Sequence, residues 1–153
     1  MSETNRSETK RSEMMKIHGS CHCGQIIFEA QANPARAVLC HCTDCQMMSG
    51  SPYRSIVQVK EADFSLLAGK PKPYFKVGDS GNRRELSFCA NCGSHLYATS
   101  VTGDVPEGQR TFGIRTGLLR ELAQLPPQAQ VWCQSKVAWA DDISHLPGVD
   151  QQS

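Results

Sequence analysis

Short runs of alternating apolar and polar residues, separated by turn residues, fill most of the chain after its first sixteen positions. An alternation with a period of two is typical of β-strands that bury one face. The pattern predicts eight to ten short strands, at 15–20, 25–30, 37–40, 53–59, 64–67, 73–76, 84–88, 95–99, 111–115 and 130–135. Two pairs of these strands flank cysteine-containing turns and are predicted to form hairpins.

Helical signals are confined to two short segments. Residues 43–50 read TDCQMMSG, which has the Thr-x-x-Gln capping pattern and ends in glycine. Residues 118–124 are predicted to add a turn or two before Pro126 and Pro127 stop the helix. Many strands with one or two short helices predict a mainly β fold.

The first sixteen residues, MSETNRSETKRSEMMK, are polar and contain no aromatic residue. Such a segment buries too little apolar surface to offset its ordering entropy, so we expect a flexible tail at 1–16. No linker interrupts the rest, which predicts a single domain at 17–148 and a short tail at 149–153. The tail lacks the apolar run of a signal peptide, and no stretch approaches the roughly 20 apolar residues of a membrane span. We therefore expect a cytoplasmic protein.

Eight cysteines are unusual for such a chain. Disulfides require an oxidising compartment, and nothing in the sequence indicates export. Seven of the cysteines also lie two or three positions from another one, a spacing that makes poor structural disulfides and good metal chelates. The cysteines are therefore interpreted as metal ligands.

The first cysteine set combines Cys21 and Cys23, followed by Gly24, with Cys89 and Cys92, followed by Gly93. A glycine after the second cysteine permits the positive φ of a tight turn. Two such turns supply the four sulfurs of a structural zinc site, which would join distant strands of a small β domain. Free buried cysteines are the alternative interpretation.

The second set places Cys40, Cys42 and Cys45 within six residues. Cys45 is predicted to lie in the first helical turn, where the helix dipole favours a thiolate. Three ligands leave a fourth position open, as in catalytic zinc sites, although Cys133 or a histidine could close it. His22 and His41 each lie between two ligand cysteines and are expected to point away from the metal.

The formal charge of +1 would become −2 with seven thiolates and two Zn²⁺ ions bound. Neither value indicates binding to nucleic acid or to a membrane surface. Four basic residues are candidates for holding a substrate carboxylate, although each is interpreted as an ordinary surface charge: Arg54, Arg83, Arg84 and Lys136. Cys133, flanked by Trp132, is interpreted as a buried apolar residue.

Three motifs, in this order, resemble those of the glutathione-dependent formaldehyde-activating enzyme family: GSCHCG at 19–24, CHCTDC at 40–45 with SGS at 49–51, and FCANCGSHLY at 88–97. The segment VWCQSKVAWADD at 131–142 is similar to that family's closing segment. The resemblance spans about residues 17–147 and implies the mainly β Mss4-like fold. It also implies a structural zinc at Cys21, Cys23, Cys89 and Cys92, and a second zinc at Cys40, Cys42 and Cys45 that meets the thiol of glutathione.

The leading hypothesis is a zinc-dependent carbon–sulfur lyase with two zinc ions per chain. A zinc site made of three thiolates suits a further thiolate ligand. The substrates would be a small thiol such as glutathione and an aldehyde such as formaldehyde, which form an S-hydroxymethyl adduct. No general acid or base stands out, so proton transfer is expected to use water.

Two other hypotheses remain open. The first is a non-enzymatic zinc-binding interaction module of the same fold, which a closed second site would favour. The second is redox chemistry like that of methionine sulfoxide reductases, with Cys133 as the nucleophile, which burial of Cys133 would disfavour. The sequence gives no indication of the oligomeric state.

Overall fold

Two β-sheets pack on a shared hydrophobic core in the structure, a computed structural model that describes residues 13–152. Strands β1, β2 and β5 form one sheet in that order, and the other seven form the second sheet in the order β10-β3-β4-β9-β8-β7-β6. The strands are β1 Met15–Ser20, β2 Ile27–Ala32, β3 Ala37–Cys40, β4 Arg54–Lys60, β5 Phe64–Ala68, β6 Lys72–Val77, β7 Arg83–Phe88, β8 His95–Ser100, β9 Thr111–Arg115 and β10 Ala129–Val131.

The predicted mainly β fold is confirmed, and the two cysteine groups within it agree with the Mss4-like fold. Three strands have the predicted bounds, and six others differ from prediction by one or two residues at an end. The predicted strand at 130–135 is wrong in its second half. Trp132 has a φ of +58°, in the left-handed region, and this conformation ends β10 before a 3-10 turn.

One α-helix, α1 (Thr43–Ser49), lies among the described residues. Its N-cap is Cys42, whose sulfur accepts a hydrogen bond from the backbone N–H of Cys45, so the predicted capping role of Thr43 is wrong. Gly50 ends the helix with a φ of +64°, as the glycine predicted. The segment predicted at 118–124 forms no α-helix. It belongs to a series of 3-10 turns: Pro34–Arg36, Glu61–Asp63, Thr116–Leu118, Leu122–Gln124, Cys133–Ser135 and Ala138–Asp141.

The core is built from the faces of the two sheets that pack against each other. Ile17 and Phe28 come from the small sheet, and Val57 and Ile114 come from the large one, all at most 1% exposed. Phe64 lies within 5.4 Å of the Phe28 ring and 4.9 Å of the Phe112 ring, between ring centroids. Each large apolar side chain buried in this way contributes about 1.5–3 kcal/mol to stability.

Strand β1 starts at Met15, as predicted for the strand at 15–20, and so it overlaps the end of the tail predicted at 1–16. The domain bounds predicted at 17–148 stay a prediction. The rest of the predicted tail, residues 1–12, and Ser153 lie outside the described residues. Within residues 13–152, no helix is long and apolar enough to cross a membrane.

Candidate metal centres

Cys21, Cys23, Cys89 and Cys92 form the first cysteine cluster, with all four Sγ atoms within 4.8 Å of one another. The Sγ atoms of Cys21 and Cys23 are 3.5 Å apart, and those of Cys23 and Cys89 are 3.7 Å apart. A tetrahedral zinc ion with bonds of about 2.3 Å separates its sulfur ligands by about 3.8 Å. The four thiols are therefore spaced to fit a zinc ion.

Two hairpin turns from different sheets carry this cluster. Cys21 and Cys23 lie in the turn between β1 and β2, and Cys89 and Cys92 lie in the turn between β7 and β8. Gly24 has a φ of +82° and donates its N–H to the carbonyl of Cys21, and the turn that contains Cys89 repeats this arrangement. The turns thus have the tight geometry expected of metal-binding loops.

Hydrogen bonds favour the thiolate form of two cysteines in the first cluster, Cys92 and Cys23. The Ser94 hydroxyl, 3.3 Å from the sulfur of Cys92, lowers the pKa of Cys92 to about 5. A hydrogen bond from Asn91 lowers the pKa of Cys23. The same Ser94 hydroxyl accepts the N–H of His22 at 3.0 Å and so ties the two turns together. His22 is exposed, so its side chain lies on the surface.

Cys40, Cys42 and Cys45 form the second cluster, with their Sγ atoms within 4.8 Å of one another. Cys40 ends β3, Cys42 caps α1, and Cys45 lies in the first turn of that helix. A strand end followed directly by a capped helix therefore turns three sulfurs towards one point. All three are sulfur donors, and such a set suits zinc better than the harder divalent cations.

Contacts among the thiols of the second cluster shift their pKa values in opposite directions. A hydrogen bond with Cys45 lowers the pKa of Cys40, and the same bond, with burial, raises the pKa of Cys45. These opposite directions apply to the thiols without a metal ion, so the thiolate expected at Cys45 as a zinc ligand stays a prediction.

The second cluster has three members among the described residues and includes neither Cys133 nor a histidine. Cys133 is exposed, which overturns its prediction as a buried apolar residue. His41 is 1% exposed, and its Nε2 lies 2.9 Å from Oε1 of Gln130 on β10. This imidazole therefore supports the sheet edge behind the cluster instead of closing the metal site.

A cavity of about 610 Å³ adjoins the second cluster and is lined by Cys40 and Cys45. Its floor is the face of the large sheet that points away from the core, where Ile56 and Gln58 alternate with the buried Val57 and Val59. Met48 and Trp132 line it near the cluster. Six basic side chains also line this cavity: Arg36, Arg54, Lys76, Arg84, Arg110 and Arg115.

Arg54 and Arg115 are the most buried of these basic residues, at 5% and 9% exposure. Among the described residues, Nη2 of Arg54 and both Nε and Nη2 of Arg115 have no hydrogen-bond partner. Burial and the neighbouring Arg54 lower the pKa of Arg115 to about 9. A buried unpaired charge costs several kcal/mol, so an anion is the natural complement of this pair.

The sequence predicted only some of the basic residues that line this cavity. It named Arg54 and Arg84, which line the cavity, but expected each to be an ordinary surface charge. Arg83 is exposed and pairs with Asp104, and Lys136 lies outside this cavity. Arg115 was missed. The signal for it was strand alternation, because Thr111, Gly113 and Arg115 share the face of β9 opposite Phe112 and Ile114.

Comparisons with known proteins agree with this architecture. The sequence model of the glutathione-dependent formaldehyde-activating enzyme family matches residues 16–135. The crystal structure of a Rhodobacter sphaeroides protein is similar with a TM-score of 0.54 at 18% sequence identity, over 76% of this chain and 99% of that chain. This second likeness concerns the fold alone. A search of curated proteins gave no match.

Proposed function

We propose that this chain, which belongs to the glutathione-dependent formaldehyde-activating enzyme family, is a zinc-dependent carbon–sulfur lyase with one catalytic domain over residues 17–148. It would join a small thiol, such as glutathione, to an aldehyde, such as formaldehyde, and catalyse the reverse cleavage. Cys21, Cys23, Cys89 and Cys92 would hold a structural zinc, and Cys40, Cys42 and Cys45 a catalytic one. A cytoplasmic location would keep these thiols reduced.

The observation that carries the proposal is a three-thiol cluster that opens into a basic cavity. Among the described residues no fourth protein ligand joins the cluster, which leaves room for a substrate sulfur. Zinc held there would lower the pKa of a substrate thiol and so favour its thiolate at neutral pH.

The charges of the cavity favour an anionic thiol. Three thiolates and one divalent ion together carry −1, whereas Arg54, Arg84 and Arg115 carry +3. Among the described residues none of these three arginines has a carboxylate within 4.0 Å. The surplus of positive charge would be balanced by a thiolate that also bears a carboxylate, as glutathione does.

The cavity also extends from the second cluster to a further arginine, Arg84 on β7. Lys76, the register partner of Arg84 on β6, pairs with Asp44 of α1, so the large sheet curls and brings this end of the cavity towards the cluster. A thiol held at the second cluster could therefore direct a distant carboxylate towards Arg84.

The reaction requires no oxidant or reductant. A sulfur lone pair forms the C–S bond to the carbonyl carbon while the carbon–oxygen π bond breaks. The oxygen takes up a proton from water, and the thiol proton is released. The chain's contribution would be to hold the sulfur and to place the aldehyde beside it in the cavity.

The test is the rate of S-hydroxymethylglutathione formation and breakdown, followed by exchange NMR with zinc-loaded protein. We expect wild type to accelerate both directions above the spontaneous rate, and Cys42→Ser to lose roughly hundredfold or more of that acceleration. Serine keeps the helix cap, so the change is directed at the metal site.

Cys133→Ser is the matched control, because Cys133 is an exposed thiol outside both clusters. It should match wild type. Wild-type protein that leaves both rates at the spontaneous value would refute the lyase proposal. A large loss in Cys133→Ser would point instead to the redox hypothesis.

A further inference from the structure

The six basic residues that line the cavity fall into two groups. Three are engaged by neighbours: Lys76 pairs with Asp44, Arg110 pairs with Glu61, and Arg36 donates to Oε1 of Gln58 at 2.6 Å. Arg84 donates only a long hydrogen bond, at 3.4 Å, to the Ser100 hydroxyl. Arg54 and Arg115 are both more than nine-tenths buried. Among the described residues, Nη2 of Arg54 and the Nε and Nη2 of Arg115 have no partner, and Nη1 of Arg115 donates to the Gly113 carbonyl.

Arg54 and Arg115 lie beside the second cysteine cluster. Arg54 is the register partner of Cys40 across β3 and β4, and Arg115 lies on β9, which pairs with β4. Both arginines line the same cavity as Cys40 and Cys45. An anion held by the pair would therefore lie close to the place where a carbon–sulfur bond forms.

Guanidinium groups bind carboxylates through paired, charge-assisted hydrogen bonds. Both carboxylates of glutathione are many bonds from its sulfur, so neither is fixed beside the carbon–sulfur bond that forms. In the adduct of a 2-oxo acid, by contrast, the carboxylate is attached to the carbon that bonds to sulfur. A carboxylate site next to the cluster fits the second arrangement better.

We propose that Arg54 and Arg115 form a carboxylate subsite for the carbonyl substrate, and that this chain therefore favours an aldehyde bearing a carboxylate beside its carbonyl group. The inference rests on the proposed lyase function and narrows its substrate class. With glyoxylate, the sulfur lone pair forms a bond to the aldehyde carbon while the carbon–oxygen π bond breaks. The oxygen takes a proton from water, and the thiol proton is released to water. The carboxylate stays bound and unchanged.

The first test is substrate preference with zinc-loaded full-length protein and glutathione as the thiol. Wild type should use glyoxylate with a kcat/KM at least about tenfold above that for formaldehyde. Arg115→Gln should lose most of that preference, with a larger change for glyoxylate than for formaldehyde, and Arg115→Lys should retain part of it. The control Arg83→Gln removes an exposed arginine of the same sheet that does not line the cavity.

The second test measures carboxylate binding in the absence of catalysis. Trp132 lines the cavity, so its fluorescence should change saturably with sodium acetate and not with sodium chloride at equal ionic strength. Arg115→Gln should weaken the acetate response about tenfold or more, and Arg83→Gln should leave it unchanged. Zinc content and circular dichroism like those of wild type would show that the Arg115 variant is folded.

Each contrary outcome has its own meaning. Equal losses on glyoxylate and formaldehyde would overturn the proposal and assign the pair to the developing oxygen charge. A loss seen with glutathione and absent with cysteamine, which has no carboxylate, would overturn it in favour of the thiol's carboxylate. If the wild-type protein accelerates adduct formation with neither aldehyde, the proposed lyase function is refuted. In that event a saturable acetate response that depends on Arg115 would still support a carboxylate site, and its absence would overturn the site as well.

Discussion

Gly19 on β1 lies directly against the ring of its register partner on β2, Phe28. A Cβ atom at Gly19 would lie 2.1 Å from Cζ of Phe28, far inside contact distance. Phe28 is 1% exposed and packs on Phe64, so its ring has little room to move. The absence of one side chain thus allows a large aromatic ring to close the core next to the first cysteine cluster.

Gly19→Ala should therefore lower the free energy of unfolding by about 1–3 kcal/mol, because the added methyl group displaces Phe28 from a packed position. Urea denaturation of zinc-loaded protein measures this change. Gly117→Ala is the matched control, since a Cβ at Gly117 meets nothing within 4 Å. Equal stability of the Gly19 and Gly117 variants would contradict this view of the core.

Single residues also mark the limit of what the sequence predicts. The seven clustered cysteines were recognisable because their spacing already encodes chelation. For the arginines, strand alternation gives only the face of the strand on which each side chain lies. Whether Arg54 and Arg115 are buried depends on which strands become neighbours, a long-range property that local patterns do not contain. Cys133 was misjudged for a related reason, because the left-handed conformation of Trp132 ends the strand and leaves Cys133 exposed.

At the level of elements, alternation and turn residues located the hairpins of both cysteine pairs. The cap of α1 was less predictable, because the sulfur of Cys42 takes the place expected for a hydroxyl. Ion pairs between elements were not predictable at all. Glu61, in the turn before β5, accepts hydrogen bonds from the backbone N–H and the guanidinium of Arg110, just before β9, at 3.0 and 3.1 Å.

This pair gives the fold a defined pH dependence. The hydrogen bond from Arg110 holds the pKa of Glu61 below its ordinary value of 4.5, so the carboxylate stabilises the fold above that pH. The contribution is lost as the pH falls through 4.5 and below. Glu61→Gln should cost about 1 kcal/mol in unfolding free energy at pH 7, and the difference from wild type should shrink steadily in acid.

Urea titrations of both proteins between pH 7 and pH 3 measure this difference. Glu107→Gln serves as a control, because Glu107 is exposed and has no ion pair among the described residues. It should match wild type at each pH. A cost for Glu61→Gln that is the same at pH 7 and pH 3 would rule out the ion pair as its cause.

For the molecule as a whole, the two cysteine clusters have different places in the fold. The first joins a hairpin of the small sheet to a hairpin of the large sheet, so a metal there would tie the two sheets together. The second lies where β3 meets α1, beside the basic cavity. The mainly β class followed from strand alternation, whereas the cavity arises only when seven strands assemble and place their outward side chains on one surface.

The most direct test of this account is the number of zinc ions per chain, measured by elemental analysis of protein purified without chelators. We expect two zinc ions in wild type and one in Cys42→Ser, with the remaining ion at the first cluster and the circular dichroism unchanged. One zinc ion in both proteins would contradict a second metal site at Cys40, Cys42 and Cys45, and with it the proposed thiol chemistry.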